Sequence, residues 1–253
     1  MKNQDRRDFL KVSAKYFAGA SILLLIPKEA VGTQFTTKEH EKEDWMDRYY
    51  AYVIDTTKCI GCGNCVRACK RENGVLEPFF RTWVERYNVT DKNEVYVDSP
   101  NGGHDGFKPK KVVGKTVKSF FVPKMCNHCR NTPCTQVCPV HASYASPEGV
   151  ILVDKKTCIG CGYCVQACPY GSRYIDPRTH TADKCTWCYH RITKGLLPAC
   201  VLSCPTGARK FGDLKEQDSE IKKILDTERV AVLKQELHTE PFCFYIGYDN
   251  AIR

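Results

Sequence analysis

Cysteine is the residue type that dominates the chemistry available to this chain of 253 residues. Of its 17 cysteines, 16 fall into four motifs with short, recurring gaps. The motifs are Cys59, Cys62, Cys65 and Cys69; Cys126, Cys129, Cys134 and Cys138; Cys158, Cys161, Cys164 and Cys168; and Cys185, Cys188, Cys200 and Cys204. Clustered thiols bind zinc, bind iron–sulfur clusters or form disulfides, and their spacing distinguishes these possibilities.

The first and third motifs have the spacing Cys-x2-Cys-x2-Cys-x3-Cys, which is typical of bacterial two-cluster ferredoxins. There, three thiolates on one tight loop bind one [4Fe–4S] cluster, and the fourth cysteine serves the other cluster. Proline follows the fourth cysteine in the last three motifs, and Lys70 takes its place in the first. The 16 cysteines predict four [4Fe–4S] clusters, leaving Cys243 as a buried, inert thiol.

Zinc and disulfides are the competing interpretations. Structural zinc prefers two separated pairs of ligands, whereas the first and third motifs each place four thiols within 11 residues. Disulfide frameworks suit short secreted chains, and the cysteine-rich part of this chain exceeds 200 residues. The spacing favours clusters and leaves a zinc-bound structural adaptor as a minor alternative.

The first and third motifs are near copies of each other, identical at nine of 11 positions. A short apolar segment ends four residues before each copy, at Asp55 and Asp154. Each copy predicts a strand, a cysteine-rich loop and a short helix. The predicted fold class is therefore α+β, a duplicated ferredoxin-like fold of two modules that each bind two [4Fe–4S] clusters.

The predicted four-cluster domain covers residues 49–212. Residues 70–125 form an insertion with its own small apolar cluster, and residues 213–253 form a C-terminal extension that wraps back. In this extension the sequence predicts an amphipathic helix from Leu214 to Leu225 and an aromatic segment, 242–248, that packs on the domain.

Residues 1–32 have the features of a twin-arginine signal peptide. Arg6 and Arg7 precede an apolar run of 11 residues, too short for a membrane-spanning helix, which needs about 20. Twin-arginine signals are export addresses that a receptor reads. The sequence thus predicts a periplasmic protein, with residues 33–48 as a linker.

The formal charge of +9 does not indicate a nucleic-acid partner. Without residues 1–32 the charge is +6, and four oxidised clusters with their thiolates contribute about −2 each, so the loaded protein carries about −2. The sequence contains no phosphate-binding loop, dinucleotide fingerprint or nucleophile elbow. We expect no nucleic-acid binding and no catalytic residue.

Several side chains beside the motifs could tune the clusters. Lys58, Arg67 and Lys70 flank the first motif, and positive charge stabilises a reduced cluster. We expect a raised potential there, unless these charges are solvated. For His128 and Trp187, each inside a Cys-x2-Cys pair, we expect structural or shielding roles rather than ligation.

The order and spacing of the motifs, with the twin-arginine pattern, resemble the four-cluster iron–sulfur subunits of respiratory complexes. This family includes the electron-transfer subunits of tetrathionate, polysulfide and dimethyl sulfoxide reductases and the iron–sulfur protein of formate-dependent nitrite reductase. The resemblance covers residues 49–250, and the run Gly195–Cys200 is similar to the tetrathionate reductase subunit in particular.

The resemblance implies that the first motif pairs with the fourth and the second with the third. Set 1 is then Cys59, Cys62, Cys65 and Cys204; set 2 is Cys69, Cys185, Cys188 and Cys200; set 3 is Cys126, Cys129, Cys134 and Cys168; and set 4 is Cys138, Cys158, Cys161 and Cys164. Some relatives have tryptophan at the position of Cys161, so its presence implies four-iron clusters throughout.

The resemblance also implies a function in anaerobic respiration. The chain would relay single electrons between an integral membrane quinone-reactive subunit and a catalytic molybdopterin or multihaem cytochrome subunit, and it would be peripheral on the membrane through its partner. A free-standing periplasmic polyferredoxin that exchanges electrons with cytochromes is the alternative. The terminal substrate and the direction of electron flow stay open.

Overall fold

The computed structural model of the chain describes residues 49–109, 113–249 and 251–252, so the predicted signal and linker lie outside the described residues. The strands are β1 (Tyr50–Asp55), β2 (Thr82–Thr90), β3 (Val95–Asp98), β4 (Thr116–Met125), β5 (Ser143–Ala145), β6 (Ile151–Val153), β7 (Arg173–Asp176), β8 (Thr181–Lys184), β9 (Arg209–Asp213), β10 (Val230–Ala231) and β11 (Cys243–Ile246). The α-helices are α1 (Asn64–Asn73), α2 (Pro133–Gln136), α3 (Tyr163–Gln166), α4 (Tyr189–Ile192), α5 (Ala199–Leu202) and α6 (Glu220–Thr227). None of these helices is long and apolar enough to cross a membrane.

One pattern of strand pairing occurs twice along the chain. β1, before the first motif, pairs with β9, after the fourth, and β6, before the third motif, pairs with β5, after the second. The strands that follow the first and third motifs, β2 and β7, pair with the strands that precede the next motif, β4 and β8. All four pairs are antiparallel. The predicted order of strand, loop and short helix is confirmed for both near-identical motifs.

β1 is buried along its whole length and organises the core. Because side chains alternate along a strand, Tyr52 and Ile54 enter the largest apolar cluster, while Ala51 and Val53 face a second cluster that contains Ile221 of α6. β11 pairs with β1 in parallel, and this pairing confirms that the C-terminal aromatic segment packs on the domain.

The helix predicted from Leu214 to Leu225 begins later, at Glu220. The N–H of Leu214 instead donates to the carbonyl oxygen of Tyr49 at 2.8 Å, and this hydrogen bond continues the pairing of β9 with β1. Long-range pairing therefore overrides the helical pattern in the first half of the segment.

The described residues of the insertion, 70–109 and 113–125, form no apolar cluster of their own, contrary to the prediction. Its strands β2, β3 and β4 form one sheet, and Val84, Tyr87 and Val122 belong to the same apolar cluster as Tyr52 of β1. The reason is that β4 runs directly into the second motif and β2 pairs with β4, which ties the insertion to the domain core.

Candidate iron–sulfur sites

The fourth cysteine of each motif lies at or just beyond a short helix. Cys69 lies within α1, which has 10 residues, whereas Cys138, Cys168 and Cys204 each follow a helix of four residues. A residue before proline is disfavoured in the α conformation, so the proline after each of these three cysteines ends the helix. Lys70 lets α1 continue.

Sets 1 and 4 each line a pocket. The first pocket is lined by the four thiols of set 1, Cys59, Cys62, Cys65 and Cys204. The second is lined by those of set 4, Cys138, Cys158, Cys161 and Cys164. In both pockets the fold brings three cysteines of one motif to the fourth cysteine of another.

The thiols of set 2 are buried and close to one another. Nδ2 of Asn73 lies 3.5 Å from Sγ of Cys69 and 3.7 Å from Sγ of Cys188, so it contacts cysteines of the first and fourth motifs together. Burial raises the pKa of Cys185 well above its ordinary value, and Cys69 and Cys200 raise it further. The fold thus brings the members of set 2 together.

Set 3 is brought together in the same way. Burial raises the pKa of Cys129 to about 12, and the neighbouring thiols of Cys126, Cys134 and Cys168 add to this shift. The ring centroid of His128, between Cys126 and Cys129, lies 4.0 Å from that of Trp187, between Cys185 and Cys188, so sets 2 and 3 are neighbours.

These raised pKa values describe thiols that are neutral at pH 7 in the absence of metal. Burial raises the pKa of Cys59 to about 11 and that of Cys134 to about 11. Iron binds the thiolate, so cluster binding displaces these protons and stabilises the ionised ligands.

The residues fit a multi-iron cluster better than a single ion. A zinc ion holds its sulfur ligands at about 2.3 Å. Within the described residues, no group of three or more Cys, His, Asp or Glu side chains is arranged to hold one metal ion. The thiols of sets 1 and 4 instead surround pockets, as expected for ligands at the corners of a cubane.

Backbone N–H groups face the fourth cysteines of the second and fourth motifs. Although burial acts to raise the pKa of Cys138, hydrogen bonds from the backbone of Ser143, Val140 and Ala142 lower it overall. Cys204 behaves alike, because hydrogen bonds from Thr206, Ala208 and Arg209 outweigh burial and lower its pKa. Hydrogen bonds to sulfur are one of the levers that set a cluster potential.

Arg173 and Arg209 are buried residues beside the cysteine sets that sequence reasoning missed. They are 4% and 1% exposed and line the pockets of set 4 and set 1, respectively. A sequence signal was present, because each arginine lies five residues after a fourth cysteine in the same frame, Cys-Pro-x-Gly-small-Arg. Lys184, buried directly before Cys185, donates to the carbonyl oxygens of Ile151 and Cys185.

The charged residues that the sequence singled out make other contacts. Nζ of Lys70 donates to the carbonyl oxygen of Phe79 at 2.8 Å, pairs with Glu77 at 2.9 Å and lies 4.1 Å from the ring centroid of Phe80. Arg67 donates to the carbonyl oxygens of Cys62 and His104, so it holds the first cysteine loop against the insertion. The higher potential expected at this motif stays a prediction.

His128 and Trp187 stack on each other, with ring centroids 4.0 Å apart. Nδ1 of His128 accepts a hydrogen bond from the N–H of Ile151 at 3.0 Å, and burial lowers the histidine pKa well below its ordinary value. A neutral, stacked imidazole fits the structural role that we expect for it. Cys243 is fully buried in β11, as predicted.

Comparison with known proteins agrees with this geometry. Two family models, each described as a 4Fe-4S dicluster domain, match residues 58–142 and 117–214. A tetrathionate reductase subunit of Salmonella typhimurium is 40% identical over 98% of this chain and 90% of its own length. The chain is a member of the predicted family of iron–sulfur electron-transfer subunits.

Two further relatives support this membership. A tetrathionate reductase subunit of Archaeoglobus fulgidus is 46% identical over 83% of this chain and 87% of its own length. A polysulfide reductase subunit of Wolinella succinogenes is 36% identical over 79% of this chain and 95% of its own length. As an electron-transfer subunit with two tandem dicluster domains, the chain has four [4Fe–4S] clusters as its cofactors.

Proposed function

We propose that the chain relays single electrons between a quinone-linked membrane subunit and a respiratory oxidoreductase outside the cytoplasm. The observation that carries this proposal is the crosswise grouping of 16 cysteines, all but Cys161 buried or partly buried, into four sets, in a chain without a recognised catalytic motif. The clusters supply one-electron transfer when bound. The protein supplies ligands, burial and hydrogen bonds.

In this proposal sets 1 to 4 are the cluster ligands, and the electron path follows their numerical order. The shared environment of Cys126 and Cys185 and the stack of His128 on Trp187 support the adjacency of sets 2 and 3. Sets 1 and 4 then form the two ends. Cys161 in set 4 is exposed and Cys62 in set 1 is partly buried, so electrons can enter and leave at these ends.

We further propose that the fold arose by duplication of a two-cluster ferredoxin-like module. The twice-used strand pairing supports this origin, because β1, β2, β4 and β9 occupy the same places around their motifs as β6, β7, β8 and β5. The near-identity of the first and third motifs points the same way.

In this proposal the chain is a subunit of an enzyme complex that reduces an oxidised sulfur compound, and tetrathionate is the first substrate to test. Two of the relatives are subunits of tetrathionate reductases and one of a polysulfide reductase. A molybdopterin subunit would perform the chemistry, a multihaem cytochrome being the other possibility. The twin-arginine pattern supports export of the folded, loaded chain, which would be periplasmic and peripheral on the membrane.

Co-purification tests the relay. A tagged chain, isolated in mild detergent from membranes of its own organism, should carry a membrane subunit and a large catalytic subunit, and the isolate should reduce tetrathionate with a reduced quinol analogue. A chain that is recovered alone from the periplasmic fraction, and that exchanges electrons with soluble cytochromes, would favour the free-standing polyferredoxin. Zinc without sulfide in the purified chain would defeat both.

A further inference from the structure

Strand register identifies equivalent positions near the start of β2 and β7. Thr82 of β2 pairs with Met125, the residue directly before the second motif. Arg173 of β7 pairs with Lys184, the residue directly before the fourth motif. Thr82 and Arg173 therefore occupy the same position in the two halves of the fold, the first built on β1, β2, β4 and β9 and the second on β6, β7, β8 and β5.

The same reasoning relates the first residues of β5 and β9. Arg209 of β9 pairs with Ile54, five residues before the first cysteine of the first motif. Ser143 of β5 pairs with Val153, five residues before the first cysteine of the third motif. Arg209 and Ser143 are therefore equivalent.

In each half one arginine and one hydroxyl residue occupy these two positions and bond to each other. The arginine takes the second position in one half, as Arg209, and the first position in the other half, as Arg173. Nη2 of Arg209 donates to Oγ1 of Thr82 at 2.8 Å, and Nη2 of Arg173 donates to Oγ of Ser143 at 2.8 Å. All four residues are buried, at 5% exposure or less. The chain thus supplies one buried guanidinium per half from opposite sides of the same strand arrangement.

Both guanidinium groups lie next to two cysteine sets. Arg209 lines the pocket of set 1 and lies 3.5 Å from the hydroxyl of Tyr52, which is 3.2 Å from Sγ of Cys200 in set 2. Arg173 lines the pocket of set 4 together with Cys164, which packs in one buried cluster with Cys134 of set 3.

In the described part of the chain, neither arginine has a carboxylate among its hydrogen-bond partners. Arg209 contacts Tyr52, Thr82, Met125 and the thiol of Cys65, and Arg173 contacts Ser143 and the thiol of Cys164. A buried charge without an ionic partner is strongly destabilising. A cluster with four thiolates carries about −2 when oxidised and is the available anion.

We propose that Arg209 and Arg173 are exchanged counterparts, each the buried counter-charge of the two clusters in its half, and that they raise the reduction potentials of those clusters. This inference rests on the proposed ligand sets. Reduction adds a negative charge to a cluster, and a fixed positive charge beside it stabilises that reduced state. Because the arginine comes from β9 in one half and from β7 in the other, we infer that the positive charge beside the clusters is what matters. Which strand supplies that charge is unimportant.

The test is an EPR-monitored redox titration of the anaerobically purified chain, with iron and sulfide analysis of each sample. Arg209→Gln removes the charge, Arg209→Lys keeps it, and the double variant Thr82→Arg/Arg209→Thr places it as in the other half. Arg173→Gln and Ser143→Arg/Arg173→Ser repeat the test there. Lys70→Gln is the matched control, since it removes a charge beside the first motif that already pairs with Glu77.

We expect each Gln variant to lower the equilibrium constant for one-electron reduction of a cluster in its own half at least tenfold. This corresponds to a reduction potential that is about 59 mV lower. The Lys and exchanged variants should stay near the wild-type potentials, and Lys70→Gln should shift less than Arg209→Gln. Fully loaded Gln variants with wild-type potentials would overturn the inference.

If a Gln variant fails to load iron, its potentials cannot be measured, and the double variant that exchanges the arginine and the hydroxyl tests the inference in its place. Full loading with wild-type potentials supports the inference, and failure to load, or loading with lowered potentials, overturns it. Wild-type protein without iron and sulfide would instead count against the proposed function, so the two failures are distinguishable.

Discussion

Cys69 is the residue whose ligation separates the crosswise sets from a simpler, motif-by-motif assignment. It belongs by sequence to the first motif, yet Asn73 contacts its sulfur together with that of Cys188. We expect Cys69→Ser to remove the set 2 cluster and to leave set 1 intact. Its EPR spectrum should then match that of Cys188→Ser and differ from that of Cys62→Ser.

Cys243→Ser provides the control for this experiment, because Cys243 is equally buried but lies outside the four motifs. We expect it to keep about 16 irons, the content of four [4Fe–4S] clusters. If the spectrum of Cys69→Ser matched that of Cys62→Ser, the crosswise assignment would be wrong.

At this scale the sequence predicted which cysteines are candidate ligands, but it missed the buried arginines beside them. Cysteine spacing is local, and it sufficed to find all 16 candidate ligands. Which buried cation faces them depends on strand pairs between residues far apart, such as Ile54 with Arg209. The nearby lysine and arginine residues on the first loop were obvious in the sequence, but Lys70 pairs with Glu77 instead.

At the scale of elements, the insertion packs closely on the first cysteine loop. Gly63 and its equivalent Gly162 have similar φ values, 74° and 78°. A Cβ on Gly63 would overlap the carbonyl oxygen of Gly103 and lie 2.7 Å from that of His104, whereas a Cβ on Gly162 would meet nothing within 4 Å. The insertion therefore covers the first loop, and the third loop has space at this position.

Replacing each glycine with alanine isolates that contact. Both variants carry the strain of a left-handed alanine, about 1–2 kcal/mol. We expect Gly63→Ala to cost about 1–3 kcal/mol more, because it also forces the insertion away from the loop. At a fixed scan rate the loaded protein should melt about 2–4 °C lower for each kcal/mol. Equal melting temperatures for the two variants would show that the insertion can move away from the loop without destabilising the protein.

The lengths of the elements were harder to predict from the sequence than their order. The strand, loop and short helix of each near-identical motif were predictable because hydrophobic pattern and glycine placement are local. The late start of α6 and the merging of the insertion with the main core were not, because both depend on pairing with β1 or with the strands that flank the motifs.

At the scale of the whole molecule, cysteines line much of the interior. Cys65, Cys126, Cys185 and Cys200 belong to the largest apolar cluster, and two smaller pockets are bounded by thiols. Because a metal site of this kind forms only with folding, the free energy of cluster binding contributes to the free energy of folding. The described fold is therefore expected to depend on its iron.

Iron removal tests this dependence. Anaerobic treatment with a chelator and a mild oxidant, followed by removal of both, should leave a chain that has lost its cooperative melting transition and is cleaved rapidly by protease. Reconstitution with iron and sulfide should restore both properties. An iron-free chain that melts cooperatively at the original temperature would show that the apolar core is sufficient.

The central claim is that one chain holds four clusters that each take up one electron. Its most direct test is an anaerobic reductive titration of the purified wild-type chain, with reductant added in known amounts and the reduced clusters counted by EPR. The account predicts uptake of about four electrons per chain, with about 16 irons and matching sulfide. Uptake of two electrons or fewer by fully loaded protein, or zinc in place of iron and sulfide, would contradict it.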